Sequence, residues 1–383
     1  MKITIAQRDL EAALQVVTPS LSSTGDGIQT HYLFRILDRE DGEKGAEVLT
    51  CSGSIFGGAP LLCKVEHEDD EERSFTVEGK RLKLWLGADL GDEALSFEFA
   101  DSVVHVTSKR GKQKFQSLDP ESFPYWDTVA AEAKLQATIG AKRLSKVLDH
   151  LKQFVSTDDT KMPQFCVTEI KEGTFYAADR ISATVVAMEG MEEADVRVFG
   201  KNIPSLQSFL LSCGEGDVEI HGHDRFALYR RQDGAVFGES RTQVRFPFFD
   251  VSRDDVDQHA WMLAKKEIES GIKFVLAGAA TDDVRLWFRA TDDETVVEMG
   301  MSNTAGGETF LPVKCAEQSK QDDAEDLPEQ GFAINYKDLL KVLSSHASGR
   351  NIRFGINQKG KGGWVRFDEE KDGDYYLSIA AWK

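Results

Sequence analysis

The chain repeats one design, and that repetition restricts its fold more than any local motif does. Gly331–Lys383, GFAINYKDLLKVLSSHASGRNIRFGINQKGKGGWVRFDEEKDGDYYLSIAAWK, reads as a strand, a short amphipathic helix at Tyr336–Leu343, and three strands. Phe75–Leu118 and Val196–Arg241 give the same succession. At the start, Met1–Ala6 alternates as a strand, and Gln7–Val17 sets Leu10, Ala13, Leu14 and Val17 at the spacing of a helix with one buried face. HYLFRILD, AEVLTCS and APLLCKVE then supply three β-type runs. LQATIGAKRLSKVLDHLKQF restarts the pattern with an apolar stripe at Leu144, Val147, Leu148 and Leu151, and QFCVTEI, TFYAAD and ISATVVAM are its strands. HAWMLAKKEIESGIKFVLAGAA restarts it again, ahead of VRLWFRA, TVVEMGMS and GETFLPVKC. The reading is six strand–helix–three-strand units in three pairs. Leu10, Leu144 and Ile268 sit at equivalent points, as do Lys80, Lys201 and Tyr336. Such self-similarity means an array of like modules.

Two junctions divide the array. Asp119–Lys134, DPESFPYWDTVAAEAK, is polar, carries two prolines and holds no sustained period, so it reads as a linker. RFPFFDVSRDDVDQH repeats its Phe–Pro signature followed by aromatics. One domain type used three times is the expectation, over residues 1–124, 125–250 and 251–383, in an α+β chain. Gln318–Gln330, acidic and Pro-containing, reads as a loop.

A length of 383 residues suits two or three domains, and 41% hydrophobic with 29% charged residues is an ordinary globular composition. Apolar runs such as LKLWLGADL are too short to span a bilayer, so no membrane partner is expected. MKITIAQRDLEAAL has no apolar signal core, and the cytoplasm is the expected location. Cys51, Cys63, Cys166, Cys213 and Cys315 are widely spaced and never form a CxxC pair, which fits buried free thiols rather than a metal site or disulfide framework.

The net charge of −19 argues against nucleic acid only until the charges are located. The helix windows 2–17, 78–86, 140–153, 200–211, 264–277 and 335–344 hold 15 Lys and Arg against 7 Asp and Glu, while the remaining chain holds 31 against 58. Lys and Arg are good helix formers, but so is Glu, and the acidic residues stand elsewhere. On Gly140–Gln153, Arg143, Lys146 and His150 share a face away from the apolar stripe. A positive helical surface on an acidic body suits sequence-independent contact with phosphates.

No catalytic constellation accompanies this pattern. GKGG at Gly360–Gly363 lacks the Lys–Ser/Thr ending of a phosphate loop and sits between strands, as a hairpin turn would. His221 and His223 have no third ligand nearby and read as surface residues. The Asp–Asp pairs fall in loops. The expectation is a non-enzymatic protein without metal or cofactor.

Taken together, the order of FTVEGKRLKLWLGADLGDEALSFEF…FQSLDPESFP, VRFPFFDV and GFAINYKDLLKVLSSHASGRNIRF resembles the bacterial-type DNA polymerase sliding clamp, the beta processivity subunit. Phage- and mobile-element-encoded members are included in that resemblance. It implies three equal domains, each with two helices on two four-stranded antiparallel sheets, and two chains closed head to tail into a ring around double-stranded DNA. Twelve inner helices about 10 Å wide make a wall roughly 120 Å around, or roughly 38 Å across, which admits a duplex. The DNA-facing cations would be Arg8, Lys80, Arg81, Lys83, Lys142, Arg143, Lys146, Lys201, Lys265, Lys266, Lys337 and Lys341. The seam of the homodimer would join Lys114, Phe115 and Leu118 to Lys273, Val275 and Leu276, with burial inside the helix as the competing reading of Val275 and Leu276.

The resemblance also implies a site where DNA polymerase and the clamp loader insert a short hydrophobic peptide. It would comprise Ala178, Arg180, Ile181, Ala183, Pro247, Val251, Asn335, Ser378, Ile379, Ala380, Ala381 and Trp382. Many bacterial members carry Gly–His–Arg–Leu where AADRISA stands here, and Met–Pro–Met where Ile379, Ala380 and Ala381 stand, so an altered peptide preference is expected. A clamp-like interaction scaffold or decoy that does not encircle DNA is the alternative, since it would share the fold and the acidic charge.

Overall fold

The computed structural model describes residues 1–25, 27–38, 42–67, 73–88, 94–124, 126–156, 160, 162–179, 181–244, 246, 258–279, 284–302, 308–320, 332–345, 351–359, 362–371 and 373–382. Its element order is α+β and reproduces the six units. Each has an opening strand and a helix, followed by three strands in five units and by four in the first. The helices are α1 (Gln7–Val17), α2 (Gly79–Leu86), α3 (Asp127–Glu132), α4 (Ala141–Lys152), α5 (Ile203–Leu211), α6 (Lys265–Leu276) and α7 (Tyr336–Ser345). Of these, α3 lies at the first junction, outside the repeat. The chain forms two compact units, Met1–Leu148 with Glu193–Gln243, and Asp149–Glu192 with Val244–Lys383.

In the first unit a five-stranded sheet runs Cys63–Glu66, Lys2–Ala6, Ala94–Ala100, Val103–Ser108, Gly111–Gln116. An eight-stranded sheet runs Lys134–Gly140, Asp217–Gly222, Phe226–Arg231, Val236–Ser240, Ile55–Leu61, Lys44–Ser52, His31–Asp38, Ser74–Glu78. The register explains why the modules come in pairs. The opening strand of the first module lies beside the first post-helix strand of the second, Lys2 opposite Glu98. The opening strand of the second lies beside its counterpart in the first, with Leu33 opposite Thr76. Each module thus completes its partner's sheet. Phe34 stacks on Phe75 at 5.0 Å and on Phe97, from the other sheet, at 5.3 Å, so one aromatic cluster closes the layer between the sheets. Helix α1 buries Leu10, Ala13, Leu14, Val16 and Val17.

In the second unit the strands run Val167–Lys171, Thr174–Ala178, Ser182–Ala187, Asp374–Trp382, Gly362–Lys371, Asn351–Lys359, His259–Ala264, Glu308–Lys320, Val296–Ser302, Arg285–Ala290, Phe332–Asn335. Phe354 gathers the core here, 5.0 Å from Phe288 and 4.7 Å, edge-on, from Phe367. Lys359 lies opposite Gly362 in an antiparallel pair, while Gly360 and Lys361 lie outside the described residues.

Several expectations are corrected. APLLCKVE forms two strands, Ile55–Leu61 and Cys63–Glu66, parted at the exposed Leu62. Gln318–Lys320 belongs to the strand Glu308–Lys320 and pairs with His259–Trp261 rather than opening a loop, while 321–330 lies outside the described residues. The Asp119–Lys134 junction is packed. Phe123 and Trp126 enter the core, and Trp126 stacks on Phe56 at 4.6 Å. Its missing period reflects two anchoring aromatics rather than an open linker. His150 does not share the exposed face of α4. It is buried, 2.7 Å from the Thr184 hydroxyl, because a polar partner waits inside. His221 and His223 are also largely covered, His221 beside Glu219 at 2.9 Å and His223 stacked on Phe226 at 5.4 Å.

Candidate nucleic-acid interface and partner site

In five modules the helix follows directly on the opening strand, and in the fourth it follows a 3-10 turn at Gly200–Asn202 that carries Lys201. Each helix turns one stripe to the core and leaves most of its cations outside it. On α4, Ala141, Leu144, Val147, Leu148 and Leu151 are buried, while Lys142 and Lys146 are exposed and Arg143 is half-buried. Lys142 reaches Glu215 at 2.7 Å, in an exposed pair. Arg8, Lys80, Arg81, Lys83, Lys201, Lys266 and Lys337 are also exposed. Arg81 lies over the Phe115 ring at 5.7 Å, and Lys201 over Phe199 at 5.3 Å. A groove of about 630 Å³ between α1, α2 and α5 is rimmed by Lys83, and its apolar surroundings push that ammonium below the ordinary lysine range.

Lys265 and Lys341 stand apart from these. Lys265 is buried and lies 3.6 Å from Glu269. Lys341 is engaged inside the second unit by Asp179 and Ser182.

The residues assigned to the partner site converge in part. Ala178 lies opposite Ala183 across a tight connection, and Ser182, Ala183 and Thr184 lie opposite Ala380, Ile379 and Ser378. Most of these side chains are buried; Ile181 projects, 46% exposed. Asn335 accepts the Lys337 backbone N–H at 2.9 Å and so opens α7. Ala381 and Trp382 continue the terminal strand opposite Trp364 and Gly363. Arg180, Pro247 and Val251 lie outside the described residues.

At the seam positions, Phe115 and Val275 are buried in the chain's own core, Leu118 and Leu276 are half-buried, and Lys114 and Lys273 are exposed. Phe274, which the sequence pattern did not single out, is 61% exposed beside these positions. A phenylalanine between Lys273 and Val275, off the Ile268/Ile272/Val275 stripe, was the available signal.

Among the described residues no group of His, Cys, Asp and Glu could hold a metal ion, and no helix is long and apolar enough to cross a membrane. All five cysteines are free, with Cys63 and Cys213 only half-buried.

Paired modules exchanging strands, with one amphipathic helix per module, define the fold of a DNA sliding clamp. The solved structures it matches include DNA polymerase III beta subunits. The Caulobacter crescentus subunit aligns over 100% of both chains at 16% identity and a TM-score of 0.78. The Thermotoga maritima subunit covers 100% of this chain and 99% of its own, at 16% identity and 0.76. The Pseudomonas aeruginosa sliding clamp bound to griselimycin covers the same shares at 14% identity and 0.76. No family model and no curated protein matches the sequence.

Proposed function

We propose that the chain is a DNA polymerase sliding clamp, a non-catalytic cytoplasmic processivity factor that closes as a homodimer around duplex DNA. The observation that carries the reading is the fold match along the whole length of both chains. Its support is the clustering of exposed lysine and arginine on the helices of an otherwise acidic protein. Domains at 1–124, 125–250 and 251–383 would supply six domains to the ring. Separated basic side chains hold a polyanion by long-range attraction without fixing its position, as sliding requires.

The seam would form between two sheet edges. Among the described residues Gly111–Gln116 pairs only with Val103–Ser108, and Glu308–Lys314 pairs on one side with Val296–Ser302. Joining such edges across subunits removes two exposed rows of backbone donors and acceptors. Phe274 on α6 would add apolar area, since Glu267 of that helix accepts the Lys314 backbone N–H at 3.0 Å and ties α6 to this edge. Polymerase and loader peptides would dock around Ile181 and the terminal strand. Griselimycin, named with the Pseudomonas clamp, is a candidate ligand of the same region.

The test is light scattering across a dilution series, then retention on circular against linearised DNA. A mass twice 42.6 kDa and release on linearisation are expected. A monomer at every concentration, or equal retention on both DNAs, would sink the ring. In that case polymerase-peptide binding without DNA retention would favour the scaffold or decoy.

A further inference from the structure

Lys341 lies on α7, a helix whose cations were expected to face DNA, yet its ammonium is spent inside the second unit. It donates to Asp179 Oδ2 and, at 2.9 Å, to Ser182 Oγ, and it lies 5.1 Å from the centre of the Phe154 ring. Asp179 uses its other oxygen differently. Oδ1 accepts the backbone N–H groups of Ile181 at 2.8 Å and Ser182 at 2.7 Å, and the Ser182 hydroxyl at 3.1 Å. The Asp179 N–H in turn donates to the Ser182 carbonyl at 2.9 Å. One carboxylate therefore closes the turn with one oxygen and binds the helix with the other. Burial raises the Asp179 pKa, but Lys341 and the two N–H groups outweigh burial and hold it below its ordinary value. Ile181, inside this turn, is held out toward solvent although its neighbours Ala178, Ser182 and Ala183 are buried.

We propose that Lys341 is a positioning residue of the partner-peptide site, fixing the Asp179–Ser182 turn from α7 so that Ile181 stands as a preformed apolar contact. The proposal rests on the reading of this region as the peptide site. Preorganisation of this kind lowers the ordering cost that binding would otherwise carry. It also sets aside Lys341 as a phosphate contact, since an ammonium with two internal acceptors and an aromatic face is not available to DNA. The two roles of α7 divide by residue: Lys337 is exposed, while Lys341 braces the turn.

The experiment compares the full-length wild type with Lys341→Met, Lys341→Arg and Asp179→Asn. Methionine keeps an unbranched stem against Phe154. Asparagine keeps the Oδ1 acceptor for the turn but removes the charge that Lys341 binds. Two readouts are taken: amide exchange over 178–183, and griselimycin affinity by calorimetry. K341M and D179N are expected to exchange faster over this turn and to bind griselimycin about tenfold more weakly, with K341R restoring both. Wild-type exchange and affinity in K341M would overturn the positioning role while leaving the peptide site intact. Absence of griselimycin binding by the wild type would overturn the peptide-site reading, and the positioning role with it, even if exchange responds.

Discussion

Asn202 donates its side-chain amide to the Glu239 carboxyl at 2.9 Å, and the same oxygen accepts the Phe199 backbone N–H at 2.7 Å. The start of α5 is thereby tied to the strand Val236–Ser240. The second Glu239 oxygen and the Tyr229 hydroxyl are buried without a hydrogen-bond partner among the described residues. Burial pushes the Glu239 pKa up to about 8, against Phe199, Asn202 and Lys201, which favour the anion. The folded chain therefore keeps a proton that the unfolded chain releases near 4.5. This contribution to stability is complete below the unfolded value and is lost as pH rises toward about 8, by up to about 1.4 kcal/mol per pH unit. Glu239→Gln keeps the acceptor and adds donors on the unpaired side. Its unfolding free energy from urea titrations is expected to vary less with pH across this window than the wild type's. Parallel profiles would show that Glu239 does not carry the proton.

Phe274 tests the seam without disturbing the subunit, because its ring is mostly in solvent while Ile272 and Val275 on the same helix are buried. Covering a phenylalanine contributes about 1.5–3 kcal/mol, and a closed ring has two equivalent seams. Phe274→Asp is expected to weaken the dimer by at least about tenfold per seam in sedimentation at graded concentrations, with an unchanged melting temperature of the monomer. An unaltered dissociation constant would remove Phe274 from the interface.

Helix positions were legible because α1, α4, α6 and α7 carry strong apolar stripes beginning directly after an alternating strand. The repeat was legible because each module buries the same face. What one sequence hides is where a polar residue finds its partner. His150 and Lys341 look like solvated helix residues, yet Thr184 and Asp179, far away in the chain, draw them inward. Strand pairing is similarly non-local. Nothing near Gln318 announces that it continues a strand against Trp261. At the candidate partner site, Ile181 and the terminal strand were found by resemblance, whereas the brace from α7 needed the fold.

Gly238 tests the packing of the junction aromatics. A Cβ there would lie 2.0 Å from the Phe56 ring, which is itself stacked on Trp126. Both rings are buried, so Gly238→Ala is expected to cost about 1–3 kcal/mol by overpacking. Adding Phe56→Leu removes the clashing ring edge, and the double variant is expected to be more stable than the two separate losses predict. Strict additivity in chemical denaturation would mean that the methyl is accommodated elsewhere.

The pair Lys142–Glu215 makes the DNA reading quantitative. At 2.7 Å, Glu215 competes with phosphate for one of the exposed cations on α4. Both partners are solvated, so removing the carboxylate costs little stability. Glu215→Gln is expected to move clamp release from circular DNA to higher salt. Joint replacement of Lys142, Arg143 and Lys146 by glutamine is expected to flatten the plot of log affinity against log salt, by about 0.9 for each phosphate that is no longer neutralised. The two variants must move retention in opposite directions if Lys142 reaches the phosphates. A shift in the triple variant alone would implicate Arg143 and Lys146 but leave Lys142 away from the phosphates. If neither variant moves the salt profile, the positive face of α4 is a solvated helix surface and the DNA path lies elsewhere.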